Sequence, residues 1–384
     1  MSDTMSKRNT LICTVGTSLF EGNLSRLSAV TPNAPANWEA IRRAYDAQNW
    51  RELAKELLRI PPTERLCGAE INTIEEARRK KWLSLENLIF LVSDTPIGQN
   101  TGQFLQIYFE NRSDLKLRNI EYIVVEQLQD QRPTDFKIHG LRNLVRKCGE
   151  IIQRFGGPEY VAIDATGGYK AQIAVAVIMG QVLDIPVFYK HERFSEIIDF
   201  PPLPVAFDYD LLGRNSWLLT DFEKGEALSE DEIGRVDEKL KVLLIEVEMD
   251  GTPVYELSPV GQIYLDGFRI RHPKPIQLVP ATGEQKKQPR FGDDNYPKGF
   301  AEFVEKVWRE TPWVKTAFSL PYDKQSAIKG TGFYVWDNGT EKQLIGTYQD
   351  RNFGGRFRLL LTDESPQSLV WAADQLNRRY RSHG

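Results

Sequence analysis

The chain has 384 residues, a formal net charge of −4 and an ordinary globular composition, with 41% hydrophobic and 27% charged residues. This length predicts two or three domains, and the acidic balance argues against a protein that coats nucleic acid. No apolar run approaches the roughly 18 residues of a membrane span, and the N-terminus lacks the apolar region of a signal peptide. Three scattered cysteines predict neither a disulfide framework nor a metal site. We therefore expect a cytoplasmic protein that binds no membrane and no metal.

Residues 8–210 alternate short apolar runs with helical patterns, and we predict one domain there. The apolar runs, which predict strands, lie at 10–15, 88–92, 122–125, 160–163 and 186–189. Apolar residues at helical spacing lie between them, at 37–58, 72–82, 141–152 and 170–183. Continuous apolar runs separated by helices are typical of parallel strands that are buried on both faces. The pattern predicts a doubly wound, Rossmann-like α/β sheet.

Glycines, hydroxyl residues and one lysine follow three of these strands directly. They are Gly16, Thr17 and Ser18 after the first strand, Ser93 and Thr95 after the second, and Thr166, Gly167, Gly168 and Lys170 after the fourth. In an open α/β sheet ligands bind at this edge, where glycines allow close approach and helix N-termini attract anions. Any one of these turns can merely reverse the chain, but three at one edge favour a phosphate or nucleotide site. The motifs GxxxxGK(S/T) and GxGxxG are absent, which disfavours an ordinary nucleotide triphosphatase or dehydrogenase.

Three segments carry a resemblance to a known family: TVGTSL at 14–19, DATGGYKAQIA at 164–174 and PVFYKHERFSEIIDFPPLP at 186–204. Together they resemble the CARF (CRISPR-associated Rossmann fold) domains of type III CRISPR systems. The resemblance implies a homodimer that binds an activator, cyclic tetra-adenylate or another cyclic oligoadenylate, across its symmetry axis, with no further cofactor. It also implies that the nine strand-end residues contact this ring. Some family members slowly cleave their activator, and Lys170 or Ser18 would assist such a ring-nuclease reaction. Asp164 is expected to orient its turn as a structural acceptor.

The sequence pattern of residues 211–272 differs from that of the preceding domain. It predicts a winged-helix-like module that connects domains or supports dimerisation. The segment LSPVGQIYLDGF at 257–268 resembles the last helix and wing of a winged helix. The predicted recognition helix, 230–244, carries five acidic and three basic residues, whereas a helix that reads DNA carries several basic residues. We therefore expect no DNA partner. Residues 273–299 contain five prolines and four lysines, and they predict an exposed linker.

Residues 300–384 predict one amphipathic helix followed by an antiparallel sheet. The helix covers 300–309, strand-like stretches follow at 332–336, 343–348, 356–361 and 369–373, and hairpin turns lie at 337–339 and 352–355. Residues 313–384 hold ten Lys or Arg against seven Asp or Glu. This element order, the basic balance and the segment GGRFRLLLTDE at 354–364 resemble the RelE family of mRNA interferases. The resemblance implies metal-independent cleavage of mRNA in the ribosomal A site.

The RelE resemblance implies residues that position the scissile phosphate and stabilise charge as the 2′-oxygen attacks. The catalytic candidates are Arg351, Arg356, Arg358, Tyr348, Lys342, Arg378, Arg379 and Tyr380. Arg358 matches the family's central-strand arginine, and Tyr348 would stack on a base or transfer a proton. The family's closely spaced lysine pair has no clear counterpart, because Lys342 stands alone and Lys324 and Lys329 are further away. The general acid and base therefore stay open.

Three other functional classes remain open for this protein. Arg378 and His383 have the Arg-x4-His spacing of HEPN ribonucleases, which cut free RNA, although strands are predicted before them. A PD-(D/E)xK nuclease needs clustered acids that the Glu341-Lys342 dipeptide does not supply. A transcription regulator controlled by a cyclic oligoadenylate would act through the middle module and would have no enzymatic activity. The remaining histidines, at 139, 191 and 272, lack metal-ligand spacing.

Overall fold

The structure, a computed structural model, divides into two compact units. The first unit is Met1–Val205 with Leu257–Ile270, and the second unit is Ala206–Glu256 with Arg271–Gly384. The residues that the structure describes are 7–191, 196–234, 236–272, 274–292, 295–321, 330–337, 339–350 and 353–382. The sequence candidates that lie outside these described residues are Arg351, Lys324, Lys329 and His383.

A six-stranded sheet in the order β3-β2-β1-β4-β5-β6 forms the centre of the first unit. Its strands are β1 (Thr10–Thr14), β2 (Asn87–Ser93), β3 (Asn119–Val125), β4 (Val161–Asp164), β5 (Val187–Tyr189) and β6 (Ile198–Phe200). Strands β1 to β5 pair in parallel, and β6 pairs antiparallel to β5. The α/β prediction is therefore confirmed, with β6 as an antiparallel edge strand that was not predicted.

Helices cover both faces of this sheet. They are α1 (Trp38–Asp46), α2 (Trp50–Leu57), α3 (Ala69–Arg79), α4 (Pro96–Glu110), α5 (Leu141–Arg154) and α6 (Lys170–Leu183), with short helical turns at Leu19–Leu24, Arg65–Cys67, Pro133–Asp135, Phe136–Gly140 and Pro158–Tyr160. The helix predicted at 37–58 is interrupted, because Gln48 has a φ of 51° and Asn49 caps α2. Consecutive side chains of β1 pack into different hydrophobic cores, one on each face of the sheet: Leu11 into one core and Ile12 into the other.

The chain changes direction across the sheet between β1 and β4. From β1 it continues outward to β2 and β3, and it then returns to the other side of β1 to form β4 and β5. The connections that follow β1 and β4 therefore diverge, and they leave a crevice at the carboxyl ends of these two strands.

The second unit begins with short elements. They are α7 (Tyr209–Arg214), α8 (Ser216–Glu223), α9 (Glu230–Ile233), α10 (Glu238–Lys241) and a hairpin of β7 (Leu244–Met249) and β8 (Thr252–Leu257). Helix α11 (Pro259–Arg271) follows, and its residues up to Ile270 belong to the first unit. The continuous helix predicted at 230–244 is wrong, because Gly234 ends α9 and Asp237 caps α10.

A four-stranded antiparallel sheet, in the order β10-β11-β12-β9, forms the remainder of the second unit. Its strands are β9 (Val314–Leu320), β10 (Gly332–Asp337), β11 (Lys342–Gln349) and β12 (Gly354–Leu361), and they lie in the chain between α12 (Phe300–Glu310) and α13 (Pro366–Tyr380). The strand predicted at 369–373 is wrong. Ser365 caps a helix there, Pro366 occupies its first turn, and Leu369 and Ala373 lie on its buried face.

The segment predicted as an exposed linker, 273–299, has no helix or strand among its described residues, but it runs beside β9. Arg290 N–H donates to the carbonyl oxygen of Ala317 at 2.9 Å, and Ser319 N–H donates back to that of Arg290 at 3.1 Å. Leu278 is fully buried. This segment therefore contributes to the packing of the second unit.

Candidate functional site

An open pocket of about 810 Å³ lies at the crevice between β1 and β4. All nine residues that the sequence predicted as ligand contacts line it: Gly16, Thr17, Ser18, Ser93, Thr95, Thr166, Gly167, Gly168 and Lys170. Residues that are far apart in the chain meet here because parallel strands end at the same edge of a sheet. Their contact with a ligand stays a prediction.

The turns after β1 and β4 touch each other on the floor of this pocket. A Cβ atom on Gly167 would lie 2.6 Å from the backbone nitrogen of Gly16 and 2.8 Å from the carbonyl oxygen of Thr14, so only glycine fits. The Thr14 hydroxyl donates to the carbonyl oxygen of Gly167 at 2.6 Å. Gly168 has a φ of 97°, in the left-handed region that glycine adopts without strain. Gly167 is therefore required by the contact between the two turns, and Gly168 by its backbone conformation.

Two helices begin at the pocket. Helix α6 begins at Lys170, and α4 begins at Pro96 after its cap residue Thr95. Thr95 Oγ1 accepts from Gly98 N–H at 3.1 Å and forms a hydrogen bond of 2.9 Å with the Ser93 hydroxyl. A helix N-terminus carries partial positive charge, and Lys170 adds a full charge. This edge of the pocket therefore attracts anions.

Thr166 connects the turn after β4 to its neighbours. Its N–H donates to Asp164 Oδ1 at 3.0 Å, as expected for an acceptor that orients the turn. Its Oγ1 accepts from Lys190 N–H at 3.0 Å and from the Thr73 hydroxyl at 3.2 Å. Asp164 is buried, and this burial, together with the nearby Glu70 carboxyl, raises its pKa to about 7. The protein itself thus fixes the position of Thr166.

Sequence reasoning did not select several other polar residues of this pocket: Glu21, Asp130, Gln131, Tyr169, Tyr189, Lys190 and His191. Residues 189–191 lie at the end of β5, so the strand-end rule would have found them. Asp130 lies well beyond the end of β3, and that rule misses it. Lys190 forms an ion pair with the buried Glu76 of α3, so part of its positive charge is already balanced.

In the second unit, Arg356 and Arg358 lie on the face of the sheet opposite to α12. They alternate along β12 with Phe357, whose ring packs against those of Phe300 and Phe303 of α12 at centroid distances of 5.9 and 6.1 Å. Successive side chains of a strand point to opposite faces. The structure therefore brings these two catalytic candidates together, side by side on one face of the sheet.

Two candidates on β11 lie elsewhere. The ring of Tyr348 stacks on Phe303 at a centroid distance of 5.0 Å, and its hydroxyl donates to the carbonyl oxygen of Lys298 at 3.2 Å. Tyr348 is thus on the helix-covered face, opposite to the two arginines of β12. Lys342, at the start of β11, forms an ion pair with Asp210 of α7. The structure does not bring either residue to the face that carries Arg356 and Arg358.

The three candidates at the end of α13 also form contacts of their own. Arg379 Nη2 and the Tyr380 hydroxyl both donate to Glu310 Oε2 of α12, at 2.8 and 2.6 Å. Arg378 pairs with Glu223 of α8 at 3.5 Å. Burial, followed by the hydrogen bond to Glu310, raises the pKa of Tyr380 to about 12. These residues join helices to one another on the covered side of the sheet.

In the described part of the chain, no cluster of three or more His, Cys, Asp or Glu side chains has the arrangement of a metal site. The three cysteines, at 13, 67 and 148, are buried free thiols. Within the same described residues, none of the helices combines the length and apolarity needed to span a bilayer.

Comparison with known proteins gives one match that bears on the first unit. Residues 65–203, about a third of the chain, match the family model described as CRISPR-associated protein (Cas_APE2256). The matched segment contains two of the three predicted strand-end turns, those at 93–95 and 166–170. The match shows that this part of the first unit is similar to a family of CRISPR-associated proteins.

The other comparisons add no argument about function. No significant match exists among curated proteins. The chain is similar to a solved structure of Can2 from Sulfobacillus thermosulfidooxidans in complex with cyclic tetra-adenylate, at 10% identity and a TM-score of 0.26, over 100% of this chain and 87% of that one. A similarity at this TM-score supports no conclusion about a shared fold or ligand.

Proposed function

We propose that the chain is a cytoplasmic CRISPR-associated effector that a cyclic oligoadenylate activates and that then cleaves mRNA in antiviral defence. The pocket between β1 and β4, where three turns, two helix N-termini and Lys170 meet, is the observation that carries this proposal. Backbone N–H groups, hydroxyls and a lysine suit the phosphates of such a ring. Cyclic tetra-adenylate is the activator that we would test first. The family match at 65–203 supports the CRISPR context.

Two copies of the chain would pair beside this pocket. Helix α6 begins at the pocket, and its exposed side carries the apolar residues Ala174 and Ile178. Gln181 of α6 accepts from Leu203 N–H at 2.8 Å, which holds another exposed apolar side chain close to the helix. Neighbouring exposed apolar side chains favour burial against a partner surface. A second copy would place two pockets around one symmetry axis, where each could contact half of a cyclic ligand.

For the output we propose a RelE-like ribonuclease in the second unit. An antiparallel sheet with Arg356 and Arg358 on one face suits this class better than a HEPN domain, which is built from helices. Arg378 lies at the end of a single helix, α13, that follows the sheet.

The proposed reaction forms a bond from the 2′-oxygen to phosphorus and breaks the bond from phosphorus to the 5′-oxygen of the next nucleotide. Arg356 and Arg358 would bind the nonbridging oxygens and stabilise the additional charge of the transition state. A base must take the 2′-hydroxyl proton, and an acid must protonate the leaving 5′-oxygen. Glu364, with its carboxylate 3.6 Å from Arg358 and its pKa raised by burial, is placed to exchange a proton there.

The test compares two RNA substrates with and without cyclic tetra-adenylate: an mRNA in a coupled translation system, and the same mRNA free of ribosomes. We expect activator-dependent cleavage on ribosomes only. Activator-dependent cleavage of the naked RNA would instead favour a ribonuclease that cuts free RNA. Binding to DNA without any RNA cleavage would favour a transcription regulator. Analysis of the activator after the same reaction would reveal linear products if the first unit is also a ring nuclease.

A further inference from the structure

A buried glutamate joins the two turns on the pocket floor. Glu70 lies in the first turn of α3 and is 1% exposed. Its Oε1 accepts from Gly16 N–H at 2.9 Å. A Cβ atom on Gly167 would collide with this same oxygen. The carboxyl is therefore wedged between the turn after β1 and the turn after β4, beneath a pocket that it does not itself line.

The second oxygen of this carboxyl and one oxygen of Asp164 have no partner. Glu70 Oε2 and Asp164 Oδ2 are both buried, and neither forms a hydrogen bond with any residue that the structure describes. A buried carboxylate that lacks a compensating group is costly, and a carboxyl in this situation takes up a proton instead. The geometry therefore favours neutral acid at this point of the floor.

The titratable groups that raise one another's pKa on this floor are two carboxyls and a thiol. Cys13 of β1 lies near both carboxyls, and burial, followed by the charges of Asp164 and Glu70, raises its pKa. Burial raises the pKa of Glu70 and, with a further contribution from Glu70, that of Asp164. These two carboxyls accept hydrogen bonds from backbone N–H groups, that of Gly16 to Glu70 and that of Thr166 to Asp164. Lys170 lines the pocket above this floor, whereas the charge of Lys190 is partly balanced by its ion pair with Glu76.

We infer that Glu70 is a positioning residue of the pocket, which in its neutral form fixes the Gly16 turn against the Gly167 turn so that both present their backbone to the same anion. This inference rests on the proposed function of the pocket. A neutral carboxyl keeps Oε1 as the acceptor for Gly16 N–H and places no negative charge under the phosphates. Ionisation would add that charge where little water screens it, and would weaken the binding of an anionic ring.

The experiment uses three variants of the full chain. Glu70→Gln keeps the acceptor and is always neutral, and Glu70→Met keeps the volume but removes the acceptor. Glu75→Ala is the matched control, because Glu75 is another buried glutamate of α3, but it pairs with Arg78 and Arg112 and does not line the pocket. Binding of cyclic tetra-adenylate is measured by calorimetry at about pH 6 and about pH 8.5, beside the melting temperature of each variant.

We expect Glu70→Gln to bind as well as wild type at the lower pH and at least as well as wild type at the higher pH. Glu70→Met should bind about tenfold more weakly at both, the usual effect of one lost hydrogen bond in a binding site. The control should bind normally even if its melting temperature falls. Equal affinities of Glu70→Met and Glu70→Gln, or weaker binding of Glu70→Gln than of wild type at the lower pH, would overturn the inference.

Amide hydrogen exchange of the ligand-free protein separates this inference from the proposed function. Peptides that cover 14–18 and 165–169 should exchange faster in Glu70→Met than in Glu70→Gln or the control. If wild type binds no cyclic tetra-adenylate, the proposed function fails and the exchange rates alone decide the role of Glu70. Equal exchange in all three variants would show that Glu70 does not hold the turns. If Glu70→Met does not fold, Glu70→Ala replaces it in both measurements.

Discussion

Asp221 and Arg381 form a buried bidentate ion pair, in which Arg381 Nε donates to Asp221 Oδ1 and Nη2 donates to Oδ2, each at 2.8 Å. The guanidinium also donates to the carbonyl oxygen of Thr331 at 2.9 Å and lies 5.3 Å from the ring centroid of Trp217. Asp221 and Trp217 belong to α8, and Arg381 directly follows α13. Helix α8, which the sequence assigned to a separate middle module, is therefore bound into the second unit.

This pair predicts a large stability effect of a single substitution. Asp221→Ala should lower the free energy of unfolding of the second unit by about 3–5 kcal/mol, because it leaves Arg381 as a buried charge without its partner. Glu223→Ala, in the same helix, removes a solvent-exposed pair with Arg378 and should cost less than about 1 kcal/mol. Denaturant unfolding measures both. Equal losses would contradict the importance that we assign to the buried pair.

The contact between the two pocket turns predicts that Gly167→Ala impairs ligand binding. The new Cβ would displace the backbone of Gly16 and Thr14, and we expect the affinity for cyclic tetra-adenylate to fall by about tenfold or more, measured by calorimetry. Gly22→Ala is the control, since its Cβ would meet only Ser18 Cβ at 4.0 Å. Unchanged binding by Gly167→Ala would mean that the ligand does not depend on these turns.

The buried Asp164 predicts that stability falls as pH rises. Its pKa is about 7 in the folded protein against an ordinary value of 3.8. Between these two values only the folded state holds the proton, so the stabilisation is complete at low pH and is lost as pH rises through about 7. From about pH 5 to about pH 8 the loss amounts to roughly 2–3 kcal/mol.

Urea unfolding of the wild type and of Asp164→Asn across this pH range checks the prediction. The amide of the variant cannot ionise, so the part of the pH dependence that Asp164 causes should disappear. The remaining slope then reports the other titratable groups of the first unit. A wild-type stability that does not change over this range would contradict the raised pKa of Asp164.

The separation of the catalytic candidates predicts which substitutions stop RNA cleavage. The double variant Arg356→Ala with Arg358→Ala should lose about 100-fold or more of the activator-dependent cleavage of mRNA, because both groups that stabilise transition-state charge are removed. Arg378→Ala, on the helix-covered side, should stay within a few-fold of wild type. Primer extension on a translated mRNA measures the cut. If Arg378→Ala instead reduced cleavage more than the double variant did, the catalytic site would lie at the end of α13.

The pocket could be predicted from sequence because the polar residues and glycines that line it come directly after strands. Short apolar runs mark buried parallel strands, so the residues after them must share one edge of the sheet. Glu70 was not predictable in this way, since it comes from a helix and reaches the edge only through tertiary packing. No local pattern distinguishes it from Glu75, a few residues later in the same helix.

The second unit was predicted less well, and the reasons are local. In α13 the run Leu369–Ala373 is apolar enough to look like a strand, and only the start at Ser365-Pro366 and the continuation to Leu376 mark a helix. Tyr348 was grouped with the arginines by sequence proximity. The alternation of faces along β11 places it on the covered side.

Helix α11 belongs to the first unit, although the ribosome makes it after the beginning of the second unit. Ile263 of this helix is buried in the core of the first unit, and Arg146 of α5 donates to Gln262 at 3.2 Å. A growing polypeptide therefore cannot complete the first unit until residue 270 has been made, when residues 206–256 of the second unit already exist. A fragment that stops near residue 210 would lack part of a core. Experiments that separate the roles of the two units should therefore rely on point substitutions within the intact chain.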